Sequence, residues 1–206
     1  MLRLAKFISI AGHPIFAPAY GVFIILQYHM VIAAKVAANY KLMLFIMLIL
    51  MFSIMPLLGV MFIMRKHSPK ELAEINQKER SYAAWILTII YAVIAFYLDD
   101  YFVHPFFKLF AIALASSSAV LAVMTRYLKL SFHAFGWAGL LVLTGVISLK
   151  FNLNMLGLIA LIILASGIVM TSRLLLKAHT RLEVYSGFIT GLICNIAVYI
   201  IFNGRF

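Results

Sequence analysis

Ser172-Arg173-Leu174-Leu175-Leu176-Lys177-Ala178-His179-Thr180-Arg181-Leu182-Glu183 is a polar strip set between two long apolar runs, about Leu153–Met170 before it and Val184–Phe202 after it. An apolar run of about 18 residues is long enough to cross the ~30 Å hydrocarbon core of a bilayer as a helix. The strip is therefore a break where the chain reaches a membrane surface and turns back. Arg173 supplies a planar fork of donors matched to phosphate oxygens. His179 offers an imidazole that can act as nucleophile or proton carrier near neutral pH. Glu183 follows at i+4, where a carboxylate can hold the second ring nitrogen and fix its tautomer. Taken alone, the strip reads first as a solvated basic cap that anchors helix ends and sets topology.

The rest of the chain is of one kind. Of 206 residues, 66% are hydrophobic and 11% charged, and the mean hydropathy is +1.09. No soluble domain of this size can bury so much apolar surface, so the solvent for most of it is lipid. The pattern predicts an all-α, polytopic membrane helix bundle of about seven spans, as one integral membrane domain over 1–206. The spans are expected near Ile15–Ala34, Leu42–Met64, Tyr82–Leu98, Phe106–Met124, Ala134–Leu149, Leu153–Met170 and Val184–Phe202. The 17 Lys and Arg against 6 Asp and Glu lie in short clusters between these runs. That distribution points to anionic headgroups or phosphorylated lipids, and nothing in it resembles a nucleic-acid module. The lone Cys194 excludes an intrachain disulfide.

Other polar positions carry plainer readings. Met1–Gly12, with Arg3 and Lys6, reads as an amphipathic lead-in at the interface. His13-Pro14 and Pro18 mark a helix start or kink, with His13 read first as an interfacial residue and second as one that lines a site. His29 reads as packed in the bundle. Pro56 predicts a kink, and the surrounding methionines read as packing residues. Arg65–Ser81 is the longest polar segment, with Ser68, Pro69 and Glu71 as a helix start and Lys78 and Arg80 near the mouth of the third span. Asp99-Asp100 reads as a solvated turn, because adjacent carboxylates point apart and no third acid is near. Ser116-Ser117-Ser118 suits close helix packing.

Span parity then gathers three clusters. Two spans separate Lys78–Arg80 from Ser131–His133, and two more separate that pair from Arg173–His179. Each pair of spans returns the chain to the same surface. Lys78, Arg80, Ser131, His133, Arg173, His179 and Glu183 are therefore expected at one membrane face, which unrelated helix caps need not share.

These residues resemble a family. Ser172-Arg173-x5-His179-x3-Glu183 is similar to the third signature, Ser-Arg-x5-His-x3-Asp, of the type 2 phosphatidic acid phosphatase (lipid phosphate phosphatase) superfamily. Leu130-Ser131-Phe132-His133 resembles its second signature, Pro-Ser-Gly-His, keeping the Ser and the His. Lys78-Glu79-Arg80 falls where the first, Lys-x6-Arg-Pro, would lie. The likeness covers about Pro56–Phe202, and is nearest to the small bacterial members. It implies a six-helix phosphatase-like core over 56–202, preceded by a lead-in and first spans over 1–55. It also implies an enzyme that removes phosphate from a lipid such as phosphatidate, phosphatidylglycerol phosphate or a polyprenyl diphosphate. By family role His179 attacks phosphorus and becomes a phosphohistidine, Glu183 orients it, and His133 protonates the leaving group and then activates water. Arg173, Arg80, Lys78 and Ser131 would bind the phosphoryl oxygens, with no metal or other cofactor. The departures are Ala73 in place of lysine, no proline after Arg80, Leu130 for Pro, Phe132 for Gly, and Glu183 for Asp. Phe132 is expected to crowd a site where glycine lets amides approach.

Two other readings stand beside this one: a non-catalytic transporter or scaffold on the same fold, and a lipid phosphotransferase using the same phosphoenzyme. Residence in the cell membrane as a multi-pass protein is expected. Lys and Arg number 12 on the motif side and 5 on the other, which favours a cytoplasmic motif face. Substrate-binding cations enter that count, so the face is left open, as is the oligomeric state.

Overall fold

The computed structural model describes residues 1–28, 38–63, 77–98 and 104–202. His29, the Ser68-Pro69-Glu71 helix start, Ala73 and Asp99-Asp100 lie outside the described residues. Among the described residues nine α-helices follow in order: α1 (Leu2–Ala11), α2 (Ala17–Tyr28), α3 (Ala38–Ile49), α4 (Met55–Ile63), α5 (Gln77–Tyr97), α6 (Pro105–Met124), α7 (Phe132–Lys150), α8 (Leu156–Leu175) and α9 (Arg181–Phe202). A 3₁₀ turn, Pro14–Phe16, joins α1 to α2, and a π-helical turn, Leu50–Ile54, joins α3 to α4. No strand occurs among the described residues. Among the described residues seven stretches are long and apolar enough to cross a membrane: Leu2–Gln27, Leu42–Phe62 and the five helices α5 to α9. The chain is an all-α, multi-pass membrane bundle.

Several span ends lie further out than the apolar runs suggest. α5 begins at Gln77 rather than Tyr82, α8 continues to Leu175, and α9 starts at Arg181. The helices run on into the polar residues of their termini, so Arg80, Arg173 and Glu183 all stand on helices rather than in loops.

The proline at 56 shows how the interior keeps its backbone paired. Proline has no N–H, so the carbonyl four residues earlier loses its helical donor. That carbonyl belongs to Phe52, and the Tyr91 hydroxyl of α5 donates to it at 3.0 Å. The π turn takes up the slack, with Met55 N–H donating to Leu50 O. In lipid an unpaired carbonyl costs several kcal/mol, so the tyrosine and the proline belong together.

The core is made of wide apolar side chains at full burial, among them Phe52, Phe106, Phe107, Leu109, Leu143 and Ile147. Outward faces are apolar too: Leu161, Leu164, Ile168, Ile193 and Ile200 are each more than half exposed, as residues facing lipid should be. Ser117 donates to Asn195 Oδ1 at 3.1 Å, tying α6 to α9 within the bundle. α7 and α9 approach at small residues. A Cβ on Gly187 would stand 2.8 Å from Ser131 O, and one on Gly191 would stand 2.8 Å from Phe135 O. This Gly-x3-Gly face brings the start of α7 against the first turns of α9, and with it the two histidines of the site.

Candidate functional site

The polar strip between α8 and α9 is two helix caps back to back. α8 ends in a Schellman motif: Ala178 N–H donates to Arg173 O at 3.1 Å and Lys177 N–H to Leu174 O at 3.0 Å. Lys177 takes the left-handed conformation, φ 53°, that this motif requires at its turning residue. α9 begins in a capping box: Glu183 N–H donates to Thr180 Oγ1 at 3.3 Å, and Thr180 N–H donates to Glu183 Oε2 at 3.1 Å. Only Leu176 to Thr180 lie between the helices, so Arg173 and His179 have little freedom relative to one another.

Glu183 Oε2 also meets His179 Nδ1 at 2.9 Å. The buried His179 ring therefore presents Nε2 as its free nitrogen. Burial pushes the His179 pKa down to about 4; Glu183 works against this, while Arg80 and Arg173 reinforce it. At neutral pH the ring is an uncharged nucleophile with a carboxylate behind it.

His133 reaches the same place from α7. Ser131 caps that helix, its Oγ accepting from Ala134 N at 3.5 Å. Ser131 N–H donates to Glu183 O at 3.0 Å, which pins the α7 loop directly to the His179 loop. His133 is buried, with Arg173, His13 and His179 all within electrostatic reach of its ring. Ser131 is fully buried, with its hydroxyl used as a helix cap.

The two arginines come from different helices, Arg80 from α5 and Arg173 from α8, and each is tethered at one corner. Arg80 Nη2 donates to Leu130 O at 2.7 Å, and its guanidinium lies 4.6 Å from the centre of the Phe132 ring. Phe132 thus supports Arg80 by a cation–π contact as well as filling space, and the Leu130 position contributes through its carbonyl. Arg173 Nη1 donates to Ser9 Oγ at 2.6 Å. In both residues Nε is buried with no partner. Neither guanidinium is paired with a carboxylate among the described residues. The structure does not bring Lys78 to this cluster. It is exposed, and on α5 it lies about 200° around the helix from Arg80.

Sequence reasoning missed Ser9, and it gave His13 first an interfacial role, with the lining of a site as the lesser alternative. The Ser9 carbonyl accepts from His133 Nε2 at 3.0 Å, and the His13 ring stands edge-on to His133 with centroids 5.1 Å apart. His13 Nδ1 also accepts from Ile15 N–H at 3.3 Å, starting the 3₁₀ turn at Pro14. The available signal was the small face Ala5, Ser9 and Gly12 on an otherwise bulky segment, which lets α1 lie close on α8. Among the described residues, no three His, Cys, Asp or Glu side chains gather as metal ligands.

Beneath the polar cluster lies a cavity of 210 Å³, larger than the ~150 Å³ that holds a benzene ring. Its walls run from His13 and Phe132 at the site to Tyr91 and Tyr199 deep in the bundle. Tyr91 is about 16 Å along α5 from Arg80. The lining is mostly apolar, with His13, Ser117, Ser118, Asn195 and the two tyrosines as its polar members.

Comparison with family models, characterised proteins and solved structures finds no match.

Proposed function

We propose that this protein is a membrane lipid phosphate phosphatase working through a phosphohistidine. The observation that carries the reading is the pair of guanidiniums, Arg80 and Arg173, each with a buried, unpartnered Nε beside the His179–Glu183 pair. Two guanidiniums within electrostatic reach of one another, neither in an ion pair with a carboxylate among the described residues, leave a site that an anion completes. In such a site arginines provide the charge stabilisation of phosphoryl transfer.

The proposed steps are those that the resemblance to lipid phosphate phosphatases implies, placed on these residues. His179 Nε2 attacks phosphorus as the bond to the lipid oxygen breaks. His133 gives that oxygen a proton, and the His133 ring must first exchange its bond to the Ser9 carbonyl for one to the substrate. Water, losing its proton to His133, then attacks the phosphohistidine and frees phosphate and His179. The apolar cavity under the anion site favours a lipid over a soluble phosphate, since a chain attached to the bound headgroup can lie in it. The excess of Lys and Arg on the site side supports a cytoplasmic orientation in the cell membrane.

The test is phosphate release by purified protein from short-chain phosphatidate and from farnesyl diphosphate, against His179→Ala. Equal release by both proteins refutes the enzyme. Transfer of phosphate to an added alcohol without release points to the phosphotransferase. No turnover by wild type, with phosphate still bound, leaves a non-catalytic binding protein.

A further inference from the structure

We infer that the N-terminal helix is a working wall of the anion site and that Ser9 is the residue that aims Arg173. The inference rests on the phosphatase reading. A phosphate-binding guanidinium needs one corner fixed by the protein and one edge free for oxygens. Arg80 shows the pattern, with Nη2 held by the Leu130 carbonyl and Nε unpartnered. Arg173 repeats it, with Nη1 held by Ser9 Oγ at 2.6 Å and Nε unpartnered. Ser9 therefore does for one arginine what the α7 loop does for the other.

The placement of Ser9 is specific. Ser9 and Ala5 are the buried residues of α1, one turn apart, while Leu2, Leu4, Phe7 and Ile10 face outward. Gly12, a turn further on, lies so close to α8 that a Cβ there would meet Val169 at 2.5 Å. The helix is thereby seated against α8 at the depth where the Ser9 hydroxyl reaches Arg173 and its carbonyl reaches His133. Accepting from Arg173 leaves the Ser9 hydroxyl proton free to donate, so the tether adds no negative charge to compete with phosphate. Ser9 is a positioning residue that acts through Arg173.

The experiment measures KM and kcat for short-chain phosphatidate, and inhibition by inorganic phosphate. It compares wild type, Ser9→Ala, Ser9→Thr, Arg173→Ala and the Ser9→Ala/Arg173→Ala double variant. The expected result for Ser9→Ala is a rise of about tenfold in both KM and the phosphate inhibition constant, with kcat within about threefold, as befits loss of one charge-assisted hydrogen bond. Ser9→Thr keeps the hydroxyl and restores both constants. In the Arg173→Ala background Ser9→Ala adds nothing, a coupling that a general loss of packing would not produce. Unchanged or tighter phosphate inhibition in Ser9→Ala, with Arg173→Ala impaired, overturns the Ser9 role alone. Equal turnover and phosphate inhibition in wild type and Arg173→Ala overturn the phosphatase reading itself, and the Ser9 inference with it.

Discussion

One oxygen of Glu183 serves two structures, accepting from the Thr180 N–H that opens α9 and meeting His179 Nδ1. Its helix-capping role and its proposed chemical role can be separated. Thr180→Ala removes the other half of the capping box and should cost about 1 kcal/mol in thermal unfolding, with kcat within a few-fold of wild type. Glu183→Gln keeps an acceptor for the cap but removes the charge behind the ring. It should lower kcat by about 10²-fold or more, following the precedent of triads whose orienting carboxylate is amidated. Equal kcat losses in the two variants would reduce Glu183 to a cap. The pH profile gives a second check. A ring with its pKa near 4 is uncharged across the whole neutral range, so the acid limb of kcat/KM due to His179 should fall well below the usual histidine value of 6.5. It should be distinct from the second ionisation of a phosphomonoester near 6. Because Glu183 raises the pKa of the ring, Glu183→Gln should move that limb further toward acid; a shift toward alkali contradicts the geometry. Lys177 offers a stability test at the same loop. A left-handed residue other than glycine carries about 1 kcal/mol of strain, so Lys177→Gly should raise the unfolding midpoint.

At the scale of helices, the approach of α7 to α9 decides whether the histidines meet. Gly187→Ala puts a methyl group into the Ser131 backbone, at 2.8 Å from its carbonyl oxygen, and backbone cannot swing aside as a side chain can. Both the unfolding temperature and kcat/KM should fall, the latter by at least tenfold, since about 1 Å of misplacement is costly in a site of this kind. Gly145→Ala is the matched control on α7: nothing lies within 4 Å of its added Cβ. It should be neutral or stabilising by about 1 kcal/mol, the helix-propensity gain over glycine. A similar loss in both variants would mean that the cost at Gly187 does not come from its close approach to Ser131. The elements were legible in the sequence because a long apolar run in this composition has few alternatives to a membrane helix. Their ends were less so, since helix hydrogen bonding continues past the apolar run into Arg173 and Glu183. The Schellman motif at Lys177 was hidden because its usual marker, glycine, is absent, whereas Thr180-x2-Glu183 carried a capping-box pattern that could have been seen.

For the molecule as a whole, the decisive relation is that clusters forty or more residues apart share one surface, and alternation of spans made that legible. What alternation cannot reach is which side chains touch once they arrive. Lys78 shares the surface and stands outside the cluster, while Ser9 enters it across 164 positions of chain. Periodicity assigns faces of helices, but the pairing of helices depends on small residues such as Gly12 and Gly187, whose role shows only against their partners. Topology is testable directly, because Cys194 is the single cysteine and is buried. In a Cys194→Ala background, exposed positions Lys129 and Lys177 bracket the site from the α6–α7 and α8–α9 connections, and exposed Asn154 lies in the α7–α8 connection. Single cysteines at these positions, probed in intact cells with a membrane-impermeant maleimide, should sort as two against one. Lys129→Cys and Lys177→Cys should be protected and Asn154→Cys labelled, if the positive excess sets a cytoplasmic site. The reverse pattern would place the same site on the outer face and leave the chemistry untouched. Any pattern that separates 129 from 177 removes the shared surface, and with it the meeting of His133, Arg173 and His179.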